Sequence, residues 1–165
     1  MQSLPEDVLY NSLNQLNIGL IIINCDCEIV FYNKWVSDCS GVAFEKAIGK
    51  KLTTVFEELL DSRIEEACNS ALTLGLPTKL SNTFNPKPFP FYAKNHIGDD
   101  NYRMHQQVSV KNVSHSSSEE LCELLIDDVS SSVKKEVMLK KFVEENKQQQ
   151  IKAELANVAK SQFLA

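Results

Sequence analysis

Five cysteines and three histidines are the residues of this 165-residue chain that could ligate a metal or carry redox chemistry. A structural zinc site needs four nitrogen or sulfur ligands, commonly supplied as closely spaced pairs. Cys25 and Cys27 form one such pair, and Cys39, Cys68 and Cys122 are too scattered to complete it. No metal site is expected. Cys25 and Cys27 flank Asp26 in a tight turn, where exposed thiols could sense redox state. His96 and His115 fall in polar, loop-like stretches. His105 alternates with polar neighbours and so belongs on the outer side of a strand. Trp35, the single tryptophan, could stack on a flat ligand or pack a helix. No nucleotide-binding motif is present, so the chain itself is not expected to catalyse a reaction.

The composition bounds what these residues can serve. Apolar residues make up 43% and charged residues 24%, an ordinary globular balance. The net charge is −5, which argues against a nucleic-acid partner. Residues 130–165 carry seven Lys and four Glu, a balance of +3, so the remainder carries −5 − 3 = −8. An acidic body therefore precedes a mildly basic tail. The odd cysteine count and the lack of a secretory leader point to the cytoplasm. The apolar run 18–23 is far too short for a membrane span, which takes about 20 residues.

The elements that must position these groups follow from periodicity. Ser3 and Glu6 in capping-box spacing, with Pro5 in the first turn, open an N-terminal helix that carries Leu9, Leu13 and Leu16 and ends near residue 16. Residues 18–24 and 28–33 read as a hairpin, and both faces of its first strand are apolar, so both need covering. Several short helices follow. The clearest places Ile64, Ala67, Cys68, Ala71 and Leu72 on one stripe, stopped by Gly75 and Pro77, which makes Cys68 a core residue. Residues 80–84 can form a strand. Pro86, Pro88 and Pro90 then force an extended, rigid loop, whose Phe84, Phe89, Phe91 and Tyr92 could seal the edge of the core, cover a pocket mouth or meet a partner. Residues 103–113 and 121–127 are two further strands joined by a polar loop over 114–119. After Asp128 a run without Gly or Pro, rich in Lys, Glu, Gln and Ala, must be a long helix. One phase of it lines up Val137, Ile151, Leu155 and Val158 as a coiled-coil seam with a polar middle.

This order, together with Asp26–Asn33, the Ile48-Gly49-Lys50 segment and the Asp128-Val129-Ser130 triplet, resembles a PAS sensory domain. The resemblance covers about residues 10–133, although the glycine usual near the hairpin turn is missing. A closer likeness is to a PAS subgroup with an Asn33-Lys34-Trp35 segment and a Pro-Phe-rich loop before a strand bearing Met104, Gln106 and Gln107. Residues 159–165 (Ala-Lys-Ser-Gln-Phe-Leu-Ala) resemble the start of the dimerisation and phosphotransfer helix of sensor histidine kinases, in which the phosphoacceptor histidine would follow the last residue here.

The resemblance implies an α+β fold: a five-stranded antiparallel sheet with helices on one face and a long C-terminal coiled-coil helix. It divides the chain into an N-terminal helix (1–16), a PAS domain (17–129) and a signalling helix (130–165). A pocket between sheet and helices would be lined by Trp35, Phe44, Phe56, Leu59, Ile64, Cys68, Leu80, Leu124 and Ile126. Its cofactor is unknown. The cysteinyl-flavin motif is missing between residues 42 and 60, and residues 60–75 offer no axial histidine for haem, so both are disfavoured. Asp128, Val129 and Ser130 would transmit the signal into a homodimeric helix. The partners implied are a downstream kinase catalytic domain and a response-regulator receiver domain. The alternatives are a ligand-free dimerisation module, whose sheet face and N-terminal helix pack on a second copy, and the input domain of a diguanylate cyclase.

Overall fold

The structure is a computed structural model that describes residues 5–113 and 119–164. The chain divides into two units, one ending at Val129 and the other beginning at Ser130.

In the first unit, helix α1 spans Glu6–Asn14, strand β1 Gly19–Asn24 and strand β2 Ile29–Tyr32. Helices α2 (Lys34–Ser40), α3 (Phe44–Ala47), α4 (Leu52–Val55) and α5 (Arg63–Leu74) follow, then strands β3 (Thr78–Leu80), β4 (Gln106–Asn112) and β5 (Leu121–Asp128). The strands form one sheet in the order β2-β1-β5-β4-β3, with every neighbouring pair antiparallel. The α+β, five-stranded antiparallel architecture expected from the sequence is the one observed.

Period-two patterning sets the sheet's two faces. Along β4, Gln106, Val108 and Val110 are buried, and along β5 so are Cys122, Leu124 and Ile126; Val108 and Val110 oppose Ile126 and Leu124 in register, and the buried Ile21 and Ile23 of β1 oppose Leu124 and Cys122. The helices, chiefly α2 and α5, cover this face. The other face is not sealed as the apolar pattern of β1 and β5 requires. Leu121 and Leu125 are half-buried, and the Lys111–Glu123 ion pair, at 2.9 Å, sits among them. One cross-strand charge pair on a half-exposed face leaves that side tolerant of water.

Local signals explain the helix limits. Ser62 caps α5 by accepting from the Glu65 amide, and Gly75 ends it at φ 66°, a left-handed conformation that glycine reaches without cost. Gly19 serves a close approach, since a Cβ there would lie 2.9 Å from the Trp35 ring.

Three expectations are corrected. Pro5 is the residue before α1, not part of its first turn, and Ser3 lies outside the described residues. The apolar residues of the N-terminal segment are not buried: Val8 and Leu9 of α1 and Leu16 beyond its end are exposed, and the helix is held by the edge contact of Tyr10 with Phe31, at 6.1 Å, and by polar contacts at its end. There Lys34 N donates to Asn14 Oδ1 at 2.7 Å, and Asn33 Nδ2 donates to the Leu13 carbonyl at 3.1 Å. The strand expected over 80–84 is instead Thr78–Leu80, because the chain turns immediately afterwards, with Asn85 N donating to the Ser81 carbonyl, and leaves Phe84 82% exposed. The loop expected over 114–119 lies mostly outside the described residues.

The second unit is a single helix, α6, over Ser130–Leu164. Its length follows from the absence of any Gly or Pro across that stretch. No residue of it is buried. Among the described residues no helix is long and apolar enough to cross a membrane.

Candidate functional site

The nine residues expected to line a pocket occupy one region of the first unit. Leu124 and Ile126 come from the inner face of β5, Ile64 and Cys68 from the inward stripe of α5, and Phe56 and Leu59 from the turns between α4 and α5. All six are buried in a single core cluster, with Trp35, Phe44 and Leu80 half-buried against it. The i, i+3, i+4 spacing of α5 and the alternation of β5 bring the first four together.

Two further rings that the pocket assignment omitted join Phe56 and Trp35 in this region. Phe89 and Phe91 are both fully buried, stacked with centroids 4.9 Å apart at 24°. Phe56 meets each edge-on at 5.6 Å, and Trp35 meets Phe91 edge-on at 5.8 Å. Edge-to-face and offset-stacked contacts of this kind are each worth about 0.5–1.5 kcal/mol beyond area burial. Phe89 and Phe91 of the proline loop therefore enter the core rather than sealing its edge, while Phe84 stays exposed. A legible signal was the two-residue spacing of Phe89 and Phe91 around Pro90, which in an extended chain aims both rings to the same side.

The loop is held by side chains on or before β4. Gln106, fully buried, accepts from the Phe89 amide through Oε1 and donates to the Phe89 carbonyl through Nε2, both at 2.9 Å. The pair mimics one rung of a sheet where the prolines remove ladder donors. Arg103 donates to the Lys87 carbonyl at 2.9 Å and to the Phe89 carbonyl at 3.3 Å, and pairs with Glu58. Met104 N to the Phe91 carbonyl, at 2.8 Å, and Tyr92 N to the Cys39 carbonyl, at 2.9 Å, complete the attachment.

A solvent-facing cleft of about 300 Å³ lies beside α1 and α2, lined by Tyr10, Asn14, Tyr32, Lys34, Phe44 and Glu45 among others. Of the expected pocket residues only Phe44 reaches it. Tyr32 donates its hydroxyl to the Val42 carbonyl at 2.7 Å. Burial, then the Glu45 carboxylate, push this phenol up to about 12, so it stays a donor at neutral pH.

At the far end of β5, Asp128 is exposed and pairs in register with Gln106, and Val129 N donates to the His105 carbonyl at 2.8 Å. The sheet is thus hydrogen-bonded up to the residue before α6. On α6, Val137, Ile151, Leu155 and Val158 are all exposed. Lys140 pairs with Glu136 at 2.7 Å and Lys141 with Glu145 at 3.9 Å, both at i,i+4 spacing.

No protein-family model and no curated protein matches the sequence. Solved structures do match the fold. A sensory box sensor histidine kinase from Vibrio cholerae aligns with TM-score 0.54 and 24% identity over 76% of this chain and 91% of that one. The PAS domain of an HTR-like protein from Haloarcula marismortui aligns with TM-score 0.54 and 12% identity over 74% and 90%. The PAS domain of nitrogen regulation protein NR(II) from Vibrio parahaemolyticus aligns with TM-score 0.51 and 14% identity over 77% and 99%. With its five-stranded sheet, helices on one face and long C-terminal helix, the chain has the PAS fold.

Proposed function

We propose that this chain is the sensory input of a sensor histidine kinase and passes its state through a homodimeric α6 to the kinase. The observation that carries the reading is the direct run of β5, through Asp128 and Val129, into a 35-residue helix whose apolar residues are all unburied within one chain. A seam of Val137, Ile151, Leu155 and Val158 at spacings near heptad supports parallel pairing. The likeness of residues 159–165 to the opening of a phosphotransfer helix supports kinase output over a cyclase, with a receiver domain as the next partner. The chain would work in the cytoplasm and catalyse nothing itself. Asp128, exposed at the strand end and two residues before Ser130, would couple sheet movement to helix register.

A second reading, a dimerisation module that takes no ligand, is favoured by the Phe56, Phe89 and Phe91 rings that pack on one another in the region of the expected pocket. Neither haem nor a cysteinyl flavin belongs to either reading.

Native mass spectrometry of the untreated chain separates them. A dimer with a defined added mass supports ligand sensing, a dimer without one supports the module, and a monomer at tens of micromolar overturns both. For the kinase role, Asp128→Ala in the protein joined to its kinase core should abolish regulation of autophosphorylation while the melting temperature is unchanged. Regulation that survives the change removes Asp128 from the pathway.

A further inference from the structure

The cleft beside α1 and α2 holds two opposite charges that do not meet. Lys34 and Glu45 both line it, and both are exposed. No ion pair joins them or ties either to another described residue. The other polar lining groups are engaged with the protein's own backbone. Asn33, fully buried, donates through Nδ2 to the Leu13 carbonyl at 3.1 Å and the Ile18 carbonyl at 2.8 Å, and accepts through Oδ1 from Leu20 N at 3.2 Å. Asn14 donates to the Tyr10 carbonyl at 3.1 Å and accepts from Lys34 N at 2.7 Å. Ser37 and Tyr32 both donate their hydroxyls to the Val42 carbonyl, at 3.0 Å and 2.7 Å. A ligand therefore finds one ammonium and one carboxylate as its charged partners, and few neutral groups that are not already engaged.

The rest of the wall is aromatic. Tyr32 and Phe44 meet edge to face, with centroids 5.3 Å apart at 86°, so the two rings form a corner. Phe31, whose ring lies 6.2 Å from Phe44 and 6.1 Å from Tyr10, holds Tyr10 of α1 to the same group. Ring faces carry negative charge density and attract cations, quaternary ammonium groups among them. A primary ammonium is strongly hydrated and brings three N–H donors that each want an acceptor. A fully N-methylated ammonium brings no such donor, so three rings and one carboxylate suit it better.

We propose that this cleft binds a betaine-type zwitterion, with its quaternary ammonium against Tyr10, Tyr32, Phe44 and Glu45 and its carboxylate on Lys34. At about 300 Å³ the cleft is at the small end of ligand pockets, as such a molecule requires. The ligand would pin α1, which supplies Tyr10, to α2 and α3, where the exposed Val8 and Leu9 do nothing to hold it. The site stands apart from the core region of Leu124 and Ile126 and does not depend on kinase output.

The test is a titration of the isotope-labelled chain with glycine betaine, followed by its amide resonances. Melting temperature is not the readout, because osmolytes stabilise proteins by exclusion from their surface. The expected result is saturable shifts confined to α1, α2, α3 and the end of β2, with a dissociation constant of about 1 mM or below. Glycine, which has the same carboxylate but a primary ammonium, should bind about tenfold more weakly. Choline lacks the carboxylate and should also bind more weakly than betaine, and Lys34→Glu should invert that order. Lys34 is the first residue of α2, where a carboxylate suits the helix dipole, so this variant keeps its fold. Tyr10→Leu keeps apolar bulk without an aromatic face and should weaken betaine several-fold. Shifts that do not saturate, or that saturate elsewhere in the chain, overturn the proposal. So does glycine binding as tightly as betaine, or an unchanged order of betaine and choline in Lys34→Glu.

Discussion

The first unit and helix α6 are built on opposite terms. In the first unit the apolar positions that the periods of α5, β4 and β5 direct inward are packed in one core, together with the Phe56, Phe89 and Phe91 rings. In α6, Val137, Met138, Leu139, Phe142 and Val143 stand exposed, and the helix rests on propensity and i,i+4 pairs. Isolated helices are stabilised weakly by such terms, and most helical stability in proteins comes from a packed apolar face. The first unit carries its own reason to fold. Helix α6 needs a second surface to gain one, and this difference underlies the proposal that it pairs with its copy.

Substitutions should separate the two regions most sharply where burial is complete. Phe56→Ala removes a ring that touches both Phe89 and Phe91 and should cost about 3–5 kcal/mol by urea denaturation of the first unit. Leu155→Ala in α6 should leave that transition within about 0.5 kcal/mol and act instead on dimer dissociation. If both changes destabilise the sheet alike, the contrast fails.

Gln106→Leu comes next. It leaves the buried amide of Phe89 without its side-chain acceptor and the carbonyl with Arg103 alone, for an expected loss of about 1–3 kcal/mol. The accompanying sign is a change in near-ultraviolet circular dichroism from the displaced aromatic rings.

The two regions should also differ in where pH acts. Tyr32 is raised from 10.0 to about 12, so the fold favours its neutral phenol. Its contribution, about 2–3 kcal/mol, is fully present below pH 10 and lost as pH rises from 10 to 12. Denaturant midpoints measured across that window should fall more steeply for the native chain than for Tyr32→Phe. In α6 the sign reverses and the effect is the smallest. Glu136 is held below the usual carboxylate range by its hydrogen bond and charge pairing with Lys140. Its support of the helix is present above that range and fades as pH falls through the lowered value. Helicity by circular dichroism should drop slightly in acid, less so in Glu136→Gln or at high salt.

The elements with clean periods were legible in the sequence. The stripe Ile64, Ala67, Cys68, Ala71 and Leu72 with its Gly75 stop gave α5, and the alternation through Cys122, Leu124 and Ile126 gave β5. Lack of Gly and Pro gave α6. Where two readings compete the sequence was weaker. The leucines of α1 have helical spacing, but periodicity cannot say whether a surface exists to receive them. Residues 80–84 carry strand-compatible types, and only pairing decides their state: Leu80 meets Val108 and the chain then turns away.

By itself the sequence determined what depends on local order: the succession of helices and strands, the inward faces of α5, β4 and β5, and the unbroken length of α6. Each follows from side-chain periods and from backbone limits imposed by Gly and Pro. The tertiary structure alone decided where the proline loop goes. Phe89 and Phe91 enter the core because Gln106 and Arg103, 14 to 17 residues away, capture the loop's backbone groups. It alone also set Cys27 beside Asn69, 42 positions further along the chain. Such meetings depend on contacts distant in sequence, which no local pattern encodes.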